Sequence, residues 1–149
     1  MRKITKYLSL LLLFVLTAVL ITGLAGCEKS TDKSSGNEGL WKNAAYPDDT
    51  ELGQGDKILT LEVSAEEKTI RFTVHTDEAT VGAALTENGL ISGDEGEFGL
   101  YLKSVNGITA DYDIDKSYWA FYINGEYALA GVDGTDIEEG AVYRLVYTK

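Results

Sequence analysis

The sequence predicts an α+β domain: one short helix on a mostly antiparallel sheet, preceded by a signal peptide and a flexible tether. Three observations predict it. Two early segments alternate apolar and polar residues with period two, the spacing of a half-buried strand. One stretch then breaks to helical spacing, with apolar residues at i, i+3 and i+4. Two Asn-Gly pairs interrupt later apolar runs, where they mark tight hairpin turns.

In Lys57–Val63, Leu59, Leu61 and Val63 fall on one face. In Thr69–Thr76, Ile70, Phe72 and Val74 point one way and Arg71, Thr73 and His75 the other. The polar stretch between them fits a hairpin connection. Thr80 reads as a helix N-cap and Gly89 as the residue just past the C-cap. Between them Val81, Ala84 and Leu85 share a face. So short a helix does not persist alone in water, so packing on the sheet must hold it. Leu90 and Ile91 then re-enter the core. Gly99–Val105 meets Asn106-Gly107 and returns at Ile108. Trp119–Ile123 meets Asn124-Gly125 and returns at Glu126, and Val142–Tyr147 is the last strand. Gly93, Gly96 and Gly99 read as loop glycines; no P-loop Lys-Ser/Thr follows them.

The start of the chain is an address. Arg2, Lys3 and Lys6 precede an almost wholly apolar run from Tyr7, and Leu24-Ala25-Gly26-Cys27 follows it. This is the order of a secretory signal. Leu-Ala-Gly-Cys resembles the lipobox of bacterial lipoproteins, which implies that residues 1–26 are removed and that Cys27 is lipidated. The run from Tyr7 to Ala25, nineteen residues, is also just long enough to be an uncleaved anchor. Either way the body lies outside the cytoplasm, at the outer face of a bacterial cell membrane. Residues 27–55 are poor in aliphatic residues and rich in Ser, Asp, Glu, Gly and Lys, and read as the tether. Within it Trp41 and Tyr46 either cap the core or form a short recognition element. The domain proper is then 56–149.

Composition narrows the function. The 149 residues carry 24 acids against 13 bases, a net charge of −11. Without residues 1–26 there remain 10 bases against 24 acids, hence −14. Such a surface repels phosphate backbones and anionic lipid, so no nucleic-acid partner is expected and membrane attachment falls to the lipid on Cys27. One Cys excludes an internal disulfide and any multi-Cys metal site. One His, His75, reads as a solvated residue on the polar face of its strand. No Gly-x-Ser-x-Gly elbow is present, so an enzyme is not expected and a hydrolase is the weakest alternative. Asp111, Asp113 and Asp115 alternate like the start of a calcium loop, but the sixth and twelfth positions are Lys116 and Tyr122, not the required Gly and Glu. They read as a solvated loop with weak calcium binding left open, and no metal site is assigned.

The most informative stretch is Tyr118-Trp119-Ala120-Phe121-Tyr122. Strand alternation puts Trp119, Phe121 and Ile123 on one face and Tyr118, Ala120 and Tyr122 on the other. One face can fill the core, which leaves the other as an aromatic surface with hydroxyl tips. Cross-strand pairing that merely stabilises the sheet is the competing reading. This stretch, followed by Ile123-Asn124-Gly125, then Gly131-Val132, Glu139-Gly140 and a terminal aromatic strand, resembles the C-terminal domain of transcobalamin and intrinsic factor. It is similar above all to the small bacterial surface proteins built on that domain. Ser104–Ile108 and the Thr80–Gly89 helix fit the same pattern, from about Lys68 to Lys149. The resemblance implies a β-grasp-like fold and a contact face at Tyr118, Trp119, Phe121, Tyr122, Gly131 and Val132. It implies a binding module without a required cofactor, for which cobalamin or another corrinoid is the first candidate ligand. In the animal carriers a larger helical domain holds the corrinoid, and residues 28–55 cannot supply one. The alternative is an interaction or adhesion module whose same face docks a transporter subunit or another surface protein.

Overall fold

The computed structural model describes residues 39–149. The signal peptide at 1–26, the lipidation at Cys27 and the first part of the tether lie outside the described residues. The strands are β1 (Thr50–Gly53), β2 (Lys57–Ala65), β3 (Lys68–Thr76), β4 (Ile91–Gly96), β5 (Gly99–Val105), β6 (Ile108–Thr109), β7 (Tyr118–Ile123), β8 (Glu126–Tyr127) and β9 (Val142–Thr148). The helices are α1 (Val81–Glu87) and α2 (Tyr112–Asp115), with 3-10 turns at Gly39–Asn43 and Val132–Gly134. The architecture is α+β, mostly β.

Six strands form one sheet in the order β1-β3-β2-β9-β7-β8, and β4-β5-β6 form a second. The hairpin β2–β3 is antiparallel in continuous register, Leu61 facing Phe72 and Val63 facing Ile70. The pairs β9–β7 and β7–β8 are also antiparallel. Two pairs are parallel, β1–β3 and the central β2–β9, so the large sheet is mixed. The alternation in β2 and β3 has its expected outcome: Leu59, Leu61, Val63, Ile70, Phe72 and Val74 are all buried. They meet Tyr143 and Leu145 of β9, Trp119 and Phe121 of β7, and the apolar face of α1. Each such side chain contributes about 1.5–3 kcal/mol by leaving water.

Helix α1 has the expected cap, since the Thr80 hydroxyl accepts from Ala83 N–H at 3.3 Å. It buries Val81, Gly82, Ala84 and Leu85 and ends at Asn88, with Gly89 at φ +66°. Both Asn-Gly turns have positive φ at both residues, as a type I′ turn requires.

Three expectations are corrected. Residues 39–55 are not all tether: the 3-10 turn buries Trp41, and β1 pairs with β3 from Thr50↔Phe72 to Gly53↔His75. Gly93, Gly96 and Gly99 are strand residues, not loop residues. The register of β4 on β5 shifts between Ser92 and Gly93, a bulge that needs glycine because an added Cβ there would overlap the Tyr101 carbonyl. Finally, a second short helix, α2, stands before β7; its Asp111 cap, not an apolar face, makes it.

Candidate functional site

The run of alternating aspartates sets the start of β7. Asp111 caps α2, its Oδ1 accepting from Asp113 N–H at 3.0 Å and Ile114 N–H at 3.2 Å. The buried Ser117 hydroxyl accepts from Asp111 N–H at 2.9 Å and donates to Asp115 Oδ1. Lys149 Nζ donates to Asp115 Oδ2 at 3.0 Å. The carboxylates of Asp111 and Asp115 thus form a local brace. Among the described residues no group of three or more His, Cys, Asp or Glu collects into a candidate metal site.

The Ser117 hydroxyl, then Lys149, then the Ser117 N–H hold the Asp115 carboxyl down from 3.8 to about 2. A depressed carboxyl favours the folded state above its unfolded value, and that contribution is lost as pH falls through about 2. A carboxyl-carbon NMR titration should therefore place the Asp115 midpoint near 2, and Lys149→Ala should raise it. A midpoint near 3.8 in the unaltered chain would contradict the brace.

Strand β7 presents its rings in two ways. Trp119 and Phe121 are buried; Trp119 meets Tyr147 edge-on at 5.6 Å, and Phe121 stacks on Tyr143 at 6.2 Å. Tyr118 is exposed at the strand's start, and Tyr122 meets Tyr127 edge-on at 5.4 Å. Beyond β8 the chain peels away through Ala128–Gly131, leaving a hollow of about 370 Å³ between that loop, β5 and β7. Tyr118, Trp119, Phe121, Gly131 and Val132 line it, and Tyr122 does not. Of the six residues expected on the contact face, the hollow thus gathers five and leaves out Tyr122. The Trp119 indole N–H is buried without a hydrogen-bond partner among the described residues.

Leu100, Tyr101 and Leu102 of β5 and Tyr127–Ala130 also line the hollow, and sequence reasoning passed over them. Their signal was an apolar run without period two, around a half-exposed Tyr101 and a fully exposed Leu129. Next to the hollow, Asp133 Oδ2 accepts from Leu100 N–H at 2.7 Å and ties β5 to the Val132 turn.

The remaining polar candidates lie elsewhere. His75 Nε2 pairs with Glu51 Oε1 at 2.6 Å across β3 and β1, so it is tied rather than simply solvated. On the same outer face Glu62 bridges Arg71 and Arg144, both at 2.8 Å. Arg71 first, and then Arg144, hold its carboxyl below the usual range.

A family model described as a domain of unknown function, DUF4430, matches residues 78–148. No curated protein sequence matches the chain significantly. Among solved structures, one described as a candidate metal-binding protein from Ruminococcus gnavus is 27% identical, with a TM-score of 0.59. It covers 63% of this chain and 98% of its own. Haptocorrin in complex with Cbi is 18% identical, with a TM-score of 0.49, over 62% of this chain. This chain spans only 25% of haptocorrin. Neither structure is described as an enzyme. The β-rich domain of this chain is thus similar in fold to the Ruminococcus gnavus protein and matches the DUF4430 pattern from Glu78 through Thr148.

Proposed function

We propose that this chain is an extracytoplasmic binding module, anchored through lipid on Cys27, whose β-grasp-like domain captures a ring-rich small molecule for uptake. The observation that carries the reading is the hollow beside β7. Its lining mixes polar and apolar surface, and the rings of Trp119, Phe121, Tyr118, Tyr127 and Tyr101 surround it. Rings with an apolar body and a polar tip suit a site that is half wet. The sheet order supports the β-grasp part: antiparallel hairpins flank the central parallel pair β2–β9, and α1 lies in the crossover.

A corrinoid is the first candidate through the resemblance at Tyr118–Gly125 and Gly131-Val132. At about 370 Å³ the hollow is at the small end of ligand pockets, roughly 300–1,000 Å³. It would grip one edge of a macrocycle and leave the rest to solvent or to a partner. The metal binding named for the Ruminococcus gnavus protein has no matching cluster among the described residues and is not part of the proposal.

Equilibrium dialysis of the full-length chain against cyanocobalamin and cobinamide tests this. Saturable retention is expected, with quenching of tryptophan fluorescence. Leu129→Asp, at a fully exposed position, should weaken retention about tenfold or more, since it puts a charge at an apolar rim. No retention of either corrinoid, or equal retention by Leu129→Asp, would count against the hollow as their site.

A further inference from the structure

The hollow has a second property that ring capture does not use: one wall carries unpaired main-chain groups of a strand edge, at the buried Trp119 and Phe121. Groups along an antiparallel strand point to alternate sides. Asn124 N–H donates to Val142 of β9 at 2.8 Å, so in the same phase Tyr122, Ala120 and Tyr118 face β9. Phe121 and Trp119 face the other way, toward β8. On that side β8 pairs only with Tyr122 and Ile123, and the one further bond is Ala128 N–H to Phe121 C=O, at 2.9 Å. The N–H and C=O of Trp119 and the N–H of Phe121 are left without a partner among the described residues.

Proteins usually blunt such an edge with a bulge, a charge or a covering segment. Here β5, the facing wall, is treated that way, because Asp133 takes its Leu100 N–H. The β7 edge is not. It offers donor, acceptor and donor in sequence, about two residues' worth of ladder, beside the hollow. A main chain in extended form meets that pattern, and its alternate side chains would enter the hollow.

Charge selects the occupant. Glu95 stands opposite Leu100 in the β4–β5 register, Glu97 adjoins the exposed Phe98, and Glu126 precedes Tyr127. None of the three has an ion-pair partner among the described residues. A second copy of a chain carrying −11 would bring like charge to this edge. We propose that the free edge of β7 is a strand-addition site for an extended, cationic segment of a partner protein. It goes beyond capture of a small molecule, since main-chain groups rather than rings make the recognition.

The probe is a hexapeptide of alternating valine and threonine with lysine at each end, added at about 1 mM, where a site of only a few kcal/mol is still read. With the full-length chain, hydrogen exchange at the Trp119 and Phe121 amides should slow about tenfold at saturation, while that of Tyr118 and Ala120 changes little. N-methylation of the peptide at the amides that face β7 should weaken binding about tenfold; methylation of the alternate set should not. A glutamate-flanked peptide should bind more weakly, and salt should narrow the gap. Unchanged exchange at Trp119 and Phe121, or equal binding of both methylated peptides, overturns strand addition. Equal binding of the glutamate-flanked peptide overturns the cationic partner. Ring capture fails or stands separately, on corrinoid retention.

Discussion

Replacing Trp41 with alanine should lower the free energy of unfolding by about 3–5 kcal/mol, the cost of deleting a large aromatic from a core. The residue lies in the stretch that composition reads as tether, yet it is buried. Its indole N–H donates to Ala65 C=O at 2.9 Å, and Lys68 Nζ lies 4.9 Å from its ring. The loss would therefore combine a cavity, a buried carbonyl left unmet and a cation–π contact worth about 0.5–1 kcal/mol. The segment after it is held as firmly. Asn106 accepts from Tyr46 N–H at 2.9 Å and donates to Tyr46 C=O at 2.8 Å, and Tyr46 meets Phe72 edge-on at 5.8 Å. Urea unfolding of the full-length chain measures the effect. Trp41→Phe, which keeps most of the volume but loses the hydrogen bond, should cost only about 1 kcal/mol. A Trp41→Ala variant as stable as the parent would return residues 39–55 to the tether.

That stretch shows where the sequence is legible. Period two exposed β2 and β3 because each buries one face, and the burial is written into every second residue; β7 buries Trp119, Ala120 and Phe121 in succession and was legible from its aromatic run and the Asn-Gly turn. Thr80 and the Asn-Gly pairs were readable because caps and type I′ turns place strict local demands on residue type. Strands β1 and β4 carry no such writing. Thr50–Gly53 has a single apolar side chain, and Ile91–Gly96 is mostly Gly, Asp and Glu with only Ile91 buried. Pairing with β3 and β5 makes them strands, and a pairing partner is not visible in a local window. The site divides in the same way. Trp119 and Phe121 could be read from β7 itself. The hollow beside them exists because the chain leaves β8 after Tyr127 and β5 closes the far side, a tertiary arrangement that brings in Leu100–Leu102 and leaves out Tyr122.

Gly82→Ala should destabilise the domain by about 1–3 kcal/mol, although alanine inside a helix ordinarily gains about 1 kcal/mol over glycine. The sign is decided by Asp133. A Cβ on Gly82 would overlap Asp133 Oδ1 and come within 2.9 Å of the Asp133 amide nitrogen. To admit it, the Val132–Gly134 turn must move away from α1. That movement breaks the bond from Leu100 N–H to Asp133 Oδ2, and it carries off Val132, which is buried and lines the hollow. The damage should therefore spread from a helix to the site: amide shifts at Leu100 and Val132, and weaker capture of whichever probe the hollow takes. Asp133→Ala should cost about 0.5–1.5 kcal/mol by removing the exposed bond to Leu100 N–H. In the double variant the Gly82 penalty should shrink, because the overlapping carboxylate is gone, giving a coupling on the order of 1 kcal/mol. Additive losses would show that the two residues act separately. A neutral or stabilised Gly82→Ala would mean that the turn yields freely, and that the hollow's wall is not held by this contact.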